Sequence, residues 1–424
     1  MTILDDARAV LAEGPVCDAC LGRCFADRSF GLGNAERGKA LRVSVALDDD
    51  DPYEAPGECW VCEGETDRFD EWAERAVDSL DGVSFATYQV GTRAPPLVEE
   101  NEAMLRDLAG LPEDAGEQFK SEFNREVGKR LGRRTDTEVD FDRPDVLVLL
   151  DIEADDVEVQ VNPAFVYGRY RKLSREIPQT EWPCNVCNGS GRSGGMTCSN
   201  CGGSGYQYPE SVEQLTTPPV LAAMDGEEAV FHGAGREDID ALMVGTGRPF
   251  VIEVKHPRHR DPDVDALEDA INEFADGKAE VEGLRLATYE MVERVKELPA
   301  NKTYRAEVEF GEPVADDALQ AAVAELDGAT VYQDTPNRVA HRRADLTRER
   351  TVYDIAAERD DETHATVEIR GEGGLYIKEL VSGDQGRTEP SLAGLLGVSA
   401  HVTALDVVAV EGEDEPFERD EFFR

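Results

Sequence analysis

The sequence lacks the long apolar runs and the leader pattern that mark membrane and secreted proteins. No apolar run reaches about 18 residues, so a membrane-spanning helix is not expected. The first residues, MTILDDARAVLAEG, are acidic and do not have the basic start of a signal peptide. These absences predict a protein of the cytoplasm.

Positive charge is scarce: 44 lysines and arginines face 90 acidic residues, which gives a net charge of −46. The acidic residues are spread along the whole chain. That distribution favours a protein of a salt-rich cytoplasm over one with an acidic surface for a basic partner. Because 40% of the residues are hydrophobic, we expect a folded protein, and 424 residues leave room for several domains.

Against this acidic background, four basic segments stand out, at 120–134, 167–175, 255–260 and 338–350. A single segment of this kind is commonly a solvated helix face. Four of them together favour a path for nucleic-acid phosphates. The cations in these segments that we predict to contact phosphates are Arg169, Arg171, Lys172, Arg175, Arg338, Arg342 and Arg343.

Eight of the nine cysteines form CxxC pairs, which are typical of zinc sites. Each CxxC turn places two thiolates on one side, and two turns complete a tetrahedral site. In a reducing cytoplasm zinc is favoured over disulfides, and a set made only of thiolates indicates a structural ion. Cys24 is left over, and we expect it to be a buried free thiol. The two predicted zinc sets are Cys17, Cys20, Cys59 and Cys62, and Cys184, Cys187, Cys198 and Cys201.

The second cysteine set lies in a glycine-rich insertion. Its halves, CNVCNGSG and CSNCGGSG, resemble the zinc-binding repeats of DnaJ-type chaperones over residues 184–206. The glycines allow backbone amides to turn back toward the sulfurs. The sequence leaves open whether this insertion contacts a substrate or only braces the fold.

Composition and periodicity predict four regions in an α+β chain. Residues 1–64 form a zinc-stapled module, 65–182 an α/β module, 183–206 the zinc-knuckle insertion, and 207–424 a domain of mixed strands and helices. Strands rich in branched residues are predicted at 145–151 and 249–254. Strand-rich order with helices between the strands favours α+β over a doubly wound parallel sheet.

The segment GREDIDALMVGTG at 235–247 contains the candidate catalytic group, Asp238. A lone aspartate at such a position is more often a turn cap. Three further segments change that balance: NKTYRA at 301–306, QDTPNRVAHRRAD at 333–345 and GGLYIKELVSGDQGRTEPS at 373–391. Lys378 lies in a mostly apolar stretch of the last segment. If buried it needs a partner such as an essential aspartate, and the alternative is that it reaches solvent.

Together these segments resemble the pseudouridine synthase superfamily, and the full set is similar to its archaeal and eukaryotic Pus-ten branch. The segments CDACLGR, GRYRKLSREIPQT and YIKELVSGDQGRTEPSL extend the resemblance over nearly the whole chain. It implies an N-terminal zinc site, a THUMP-like RNA-binding module at 65–182 and a mixed-sheet pseudouridine synthase domain at 207–424. It also implies isomerisation of T-loop uridines, at tRNA positions 54 and/or 55, without an organic cofactor.

The resemblance gives roles to particular residues. Asp238 starts glycosidic cleavage as a nucleophile or acid–base group, and Lys378 keeps it ionised. Tyr304 stacks on the target base. The T-arm of tRNA is the expected partner, and we expect a monomer without a protein partner. Further RNA contacts are predicted for Arg236, which would fill the space left by the flipped base, and for Tyr376 and Arg387.

Two other functions stay open at this point. A non-catalytic, zinc-containing RNA-binding or RNA-chaperone protein would explain the cysteines and the basic segments. It would leave GREDID, KTYRA and YIKEL unexplained as a set. A thiol-dependent protein chaperone would explain the glycine-rich knuckles, but it needs an exposed apolar surface that the charged composition disfavours.

Overall fold

The computed structural model describes residues 2–336 and 346–424 of the chain. Contacts divide the chain into two compact units, Met1–Asn162 and Pro163–Arg424. The predicted RNA contacts Arg338, Arg342 and Arg343 lie outside the described residues. Within the described ranges, no helix has both the length and the apolar character needed to cross a membrane.

Helices surround the first cysteine set in the first unit. Its helices are α1 (Ile3–Ala12), α2 (Asp18–Arg23), α3 (Asn34–Asp49), α4 (Phe69–Ser79), α5 (Pro96–Leu108) and α6 (Phe119–Thr135). Thr2 begins α1 with a capping box. Helices α2 and α3 approach so closely that a Cβ on Gly22 would lie 1.8 Å from the carbonyl oxygen of Asn34. Glycine is therefore required in the CDACLGR segment.

A four-stranded sheet completes the first unit. Its strands are β1 (Thr87–Arg93), β2 (Glu138–Val139), β3 (Val146–Asp151) and β4 (Asp156–Val161), in the order β2-β1-β3-β4. Strand β1 is parallel to both of its neighbours, and β4 is antiparallel to β3. Val146, Val148 and Leu150 alternate into the core, as the predicted strand at 145–151 requires.

The second unit contains a large mixed sheet and a small hairpin. The strands of this unit are β5 (Ala164–Lys172), β6 (Arg192–Ser193), β7 (Met196–Thr197), β8 (Glu228–Gly233), β9 (Met243–Lys255), β10 (Ala279–Ala287), β11 (Ala300–Phe310), β12 (Thr330–Asp334), β13 (Thr347–Arg359), β14 (His364–Gly371), β15 (Thr388–Glu389) and β16 (Ala400–Gly412). Its helices are α7 (Val212–Met224), α8 (Val264–Phe274), α9 (Tyr289–Glu297), α10 (Asp316–Leu326), α11 (Ile377–Ser382) and α12 (Leu392–Leu396).

Strand order in this sheet is β10-β5-β9-β16-β11-β14-β13-β12-β15, with β8 also paired to β9. The short strands β6 and β7 form a separate hairpin in the cysteine-rich insertion. Two apolar clusters pack within the unit, and Tyr304 on β11 contacts both of them. The last strand, β16, lies between β9 and β11 and so connects the two parts of the sheet.

The α+β class predicted from the sequence is confirmed, but one strand lies in a different unit than expected. The predicted α/β module extended to residue 182, whereas β5 pairs with β9 and β10 in the large sheet. Residues 164–168 are buried one after another, which is typical of a strand covered on both faces. The break between the compact units therefore falls at residue 162.

Candidate active site

The loop between β8 and β9 holds Asp238 at the edge of the sheet. Gly235 is the second residue of the loop, and its φ of +71° suits glycine. The side chain of Asp238 is 47% exposed. The loop backbone is held in place, because the Lys172 ammonium donates to the carbonyl oxygens of Asp238 and Ile239 at 3.2 and 3.0 Å. The side chain of Asp238 thus borders solvent while its loop is anchored.

Glu237, next to Asp238, points into the protein. Its carboxylate accepts hydrogen bonds from Arg248 Nε at 2.9 Å and from the Tyr170 hydroxyl at 2.9 Å. The side chains of Glu237 and Arg248 are fully buried. Burial and the nearby Glu237 charge hold the pKa of Tyr170 well above its usual range. The two neighbouring carboxylates therefore have different surroundings. That of Glu237 is buried in the core, and that of Asp238 borders a cleft.

Lys378, on helix α11, meets Asp238. Its Nζ lies 3.4 Å from a carboxylate oxygen of Asp238 and 3.4 Å from one of Asp240. Lys378 lies in the first turn of α11, and its side chain is 29% exposed. The ion pair expected between residues 238 and 378 is therefore present.

A cleft of about 240 Å³ opens beside this ion pair. Tyr304, from the centre of β11, forms part of its wall. Burial raises the pKa of Tyr304 to about 12, and the Asp238 charge acts in the same direction. The phenol is therefore protonated at neutral pH. The cleft is lined by Arg236, Glu237, Asp238, Ala241, Arg248, Lys302, Tyr304, Gly374, Leu375, Tyr376, Ile377, Leu405 and Val407.

Arg248 was not among the residues expected at the site. Its Nη1 donates to the Ala234 carbonyl at 2.7 Å, while its Nη2 is buried and has no hydrogen-bond partner among the described residues. A buried donor without a partner is costly, so this nitrogen is available to an acceptor in the cleft. An arginine within the apolar run of β9 is the sequence signal that could have identified it.

Of the other predicted RNA contacts, two line the cleft and a third, Arg387, does not. Arg236 and Tyr376 line it. The backbone of Tyr376 is fixed by the Gln333 amide, which bonds to its N–H and carbonyl at 2.8 and 2.9 Å. Arg387 donates to the Thr335 carbonyl, and its Nε lies 3.6 Å from Asp384. Arg387 is not among the residues that line the cleft.

The basic segment 167–175 is largely structural. Lys172 is fully buried, so its predicted contact with RNA phosphates is wrong. Its ammonium is satisfied by three backbone carbonyls, including that of Ile177 at 3.0 Å. Arg169, Arg171 and Arg175 are at least partly exposed, and each forms an ion pair with an acidic side chain at 2.7–2.9 Å. RNA contact by these three arginines stays a prediction.

Both predicted cysteine sets come together. Within each set the four sulfur atoms lie within 4.8 Å of one another. In the second set the Gly205 N–H donates to Cys201 Sγ at 3.3 Å, which is the inward-turned amide expected of the glycine-rich repeats. Cys24 is buried outside the first set and donates to the Cys20 carbonyl. Each set is thus able to hold a metal ion.

Comparison with known families gives matches over most of the chain. Residues 165–411 match the family described as Pus10, C-terminal, and residues 72–151 match the archaeal Pus10 THUMP domain. The chain is 68% identical to a tRNA pseudouridine synthase Pus10 of Halorubrum lacusprofundi, over 100% of both chains. It is 43% identical to a protein of the same name from Methanothrix thermoacetophila, over 97% of this chain and 95% of the relative.

Solved structures are more distant. A chain of a Cbf5-Nop10-Gar1 complex is 20% identical over 48% of this chain and 46% of that chain. The TM-score is 0.30, which is too low to relate the two folds. The sequence relatives and the two domain matches are sufficient to assign the family. The chain therefore belongs to the Pus10 family of tRNA pseudouridine synthases, the family that its motifs predict.

Proposed function

We propose that this cytoplasmic protein converts uridine in the T-loop of tRNA to pseudouridine, and that the reaction takes place in the cleft beside Asp238. Two relatives that match over nearly their whole length bear the name tRNA pseudouridine synthase Pus10. The observation that carries the assignment of the site is the Asp238–Lys378 pair at 3.4 Å, beside a cleft that contains Tyr304. One or both of two adjacent T-loop uridines are the proposed targets.

The cleft accepts a base only after the base has left the RNA stack. Unstacking costs a few kcal/mol, which contacts elsewhere along the RNA must offset. Inside the cleft the face of Tyr304 supplies a stacking surface. The unpartnered Nη2 of Arg248 supplies a donor for a carbonyl oxygen of uracil. Arg236, at the exposed rim, is placed to occupy the space that the base leaves in the RNA.

Asp238 starts the reaction, either as a nucleophile or by accepting a proton. The bond between uracil N1 and ribose C1′ breaks, the base turns, and a bond forms between C5 and C1′. The proton on C5 is then lost and N1 gains one. Substrate and product have the same composition, so no redox or group-transfer cofactor is required. Lys378 orients the Asp238 carboxylate through the ion pair at 3.4 Å.

The test of the activity is conversion of an unmodified T-arm RNA by the purified protein in molar salt. We expect pseudouridine at one or both T-loop uridines. Salt is needed because the net charge of −46 must be screened before an anionic RNA can approach. Binding without conversion would leave the RNA-binding alternative as the better description.

Replacing Tyr304 with phenylalanine is expected to lower kcat by about 100-fold and to change RNA affinity little. The ring that stacks on the base is retained, whereas the hydroxyl that helps proton transfer at C5 is lost. Single-turnover kinetics and a binding titration separate the two quantities. Tyr376→Phe removes a hydroxyl from the same cleft and is the matched control. Equal losses of rate and affinity in Tyr304→Phe would indicate a packing role instead.

We propose zinc as the ion of both cysteine sets. Four sulfurs about 2.3 Å from zinc in a tetrahedron lie about 3.8 Å apart. The Sγ atoms of Cys17 and Cys62 are 3.8 Å apart, and those of Cys184 and Cys198 are 4.0 Å apart. The thiolate donors and their spacing both fit the ion.

Metal analysis is expected to give two zinc ions per chain. Cys20→Ser should remove one ion and lower the stability of the first unit by several kcal/mol, because binding of a structural zinc contributes directly to folding. Cys24→Ser provides the control, since Cys24 is also buried and lies four residues along the chain but outside the cysteine set. A Cys20→Ser protein that keeps both ions would contradict the assignment.

A further inference from the structure

A second cleft opens on the same loop that holds Asp238. Its volume is about 270 Å³, close to the lower end of small-molecule pockets, which is roughly 300 Å³. Arg236, Glu237 and Asp238 line both clefts. The loop is therefore a shared wall, with Tyr304 in the first cleft and Trp182 in the second.

Trp182 is held in place by the base of the cysteine-rich insertion. Its half-buried ring packs edge-on against Tyr208, with ring centroids 5.6 Å apart and planes at 83°. The Trp182 carbonyl accepts a hydrogen bond from the Gln207 N–H at 2.8 Å, and Pro183 pairs with Tyr206. The two ends of the insertion thus pair with each other next to Trp182, whose residue lines the cleft. A flat aromatic side chain in a fixed position is a stacking surface for a base.

The charges around this cleft favour a neutral ring over a phosphate. Asp238 and Asp240 contribute two exposed carboxylates to its wall, against the single cation of Arg236, whereas the side chain of Glu237 is fully buried. The Glu237 charge is compensated inside the protein by Arg248, and Lys378 lies 3.4 Å from the other two carboxylates. The carboxylates are then matched by as many cations, so the cleft offers no excess of positive charge to a phosphate. A nucleobase carries no charge and needs no such excess.

We propose that the second cleft binds the nucleobase next to the target uridine, stacked on Trp182. This inference rests on the proposed function, because it places the target base in the first cleft. The two clefts share Arg236, Glu237 and Asp238 in their walls, so consecutive nucleotides of one strand reach both. The cysteine-rich insertion thereby acquires a role in substrate binding through the ring that it positions.

The test pairs a protein variant with an RNA lacking one base. T-arm RNAs carry an abasic residue on the 5′ or the 3′ side of the target uridine. Because stacking contributes about 1–3 kcal/mol per base, one of these RNAs should bind the wild-type protein about fivefold to 150-fold more weakly than intact RNA. Trp182→Leu should bind intact RNA with a similar loss, and the abasic residue should then cost nothing more. Trp182→Phe, which keeps a ring, should recover most of the affinity.

An abasic penalty of the same size in Trp182→Leu and wild-type protein would overturn the proposal. A fluorescence measurement guards against misfolding of the leucine variant. The difference in emission between wild-type protein and Trp182→Phe should be quenched by intact RNA and not by the abasic RNA, and no quenching would also overturn the proposal. Conversion of intact RNA by the wild-type protein is scored separately. Failure of the proposal for the second cleft can therefore be distinguished from failure of the proposed reaction.

Discussion

Replacing Asp238 with alanine is expected to abolish pseudouridine formation, by about 10⁴-fold or more, while T-arm RNA binds almost as before. The side chain is 47% exposed and forms no part of an apolar cluster, so its removal leaves the packing intact. The loop backbone is held independently by Lys172. Loss of the carboxylate therefore removes chemistry and little else. Pseudouridine is measured in single turnover and affinity by titration, both in molar salt.

Two further variants sharpen this result. Asp238→Asn keeps the shape without the charge, and it should be as inactive as the alanine variant. Asp240→Asn is the matched control, because Asp240 lies the same 3.4 Å from Lys378 but is 75% exposed. An exposed ion pair contributes at most about 1 kcal/mol, so activity should stay within about fivefold of wild type. Pseudouridine formation by Asp238→Ala would remove this residue from the mechanism.

Replacing Arg248 with methionine is expected to destabilise the second unit by about 3–5 kcal/mol. The change leaves the buried carboxylate of Glu237 without its guanidinium partner at 2.9 Å. It also removes the donor to Ala234 at the start of the loop, so catalysis should fall as well. Chemical denaturation in molar salt measures the free energy of unfolding.

Removing both charges should be less harmful than removing one. In the double variant Arg248→Met with Glu237→Gln, the buried carboxylate is removed together with its guanidinium partner. Lys172, 4.0 Å from Glu237, keeps its three carbonyl acceptors, so much of the lost stability should return. Activity should return less completely, because Arg248 also lines the cleft. If the double variant is as unstable as Arg248→Met alone, the loss comes from packing and not from the buried charge of Glu237.

The candidate site was predictable from the sequence because its parts lie in distinctive segments. GREDID, KTYRA and YIKEL each pointed to one residue. The structure brings Asp238 and Tyr304 to one cleft and places Lys378 3.4 Å from Asp238. Their catalytic roles stay proposals. The cysteine sets were predictable for a similar reason, since the CxxC spacing alone places two sulfurs on one side of a turn.

The basic segment 167–175 shows where sequence reasoning fails. Lys172 looks like a solvent-exposed cation when the segment is considered alone. Its burial follows from the position of β5 between β9 and β10, and those pairings involve residues far along the chain. The same non-local pairing shifted the unit boundary from residue 182 to 162. Local composition carries no information about which strand becomes the centre of a sheet.

The position of β16 has a consequence for biosynthesis. Asp238 lies on the loop before β9 and Lys378 on α11 after β14, and residues 400–412 pair with both β9 and β11. During translation the acid and the lysine therefore emerge as members of separate fragments. We expect the two to meet only after residues 400–412 have left the ribosome, so a nascent chain halted before that point would hold its tRNA, if at all, without modifying it.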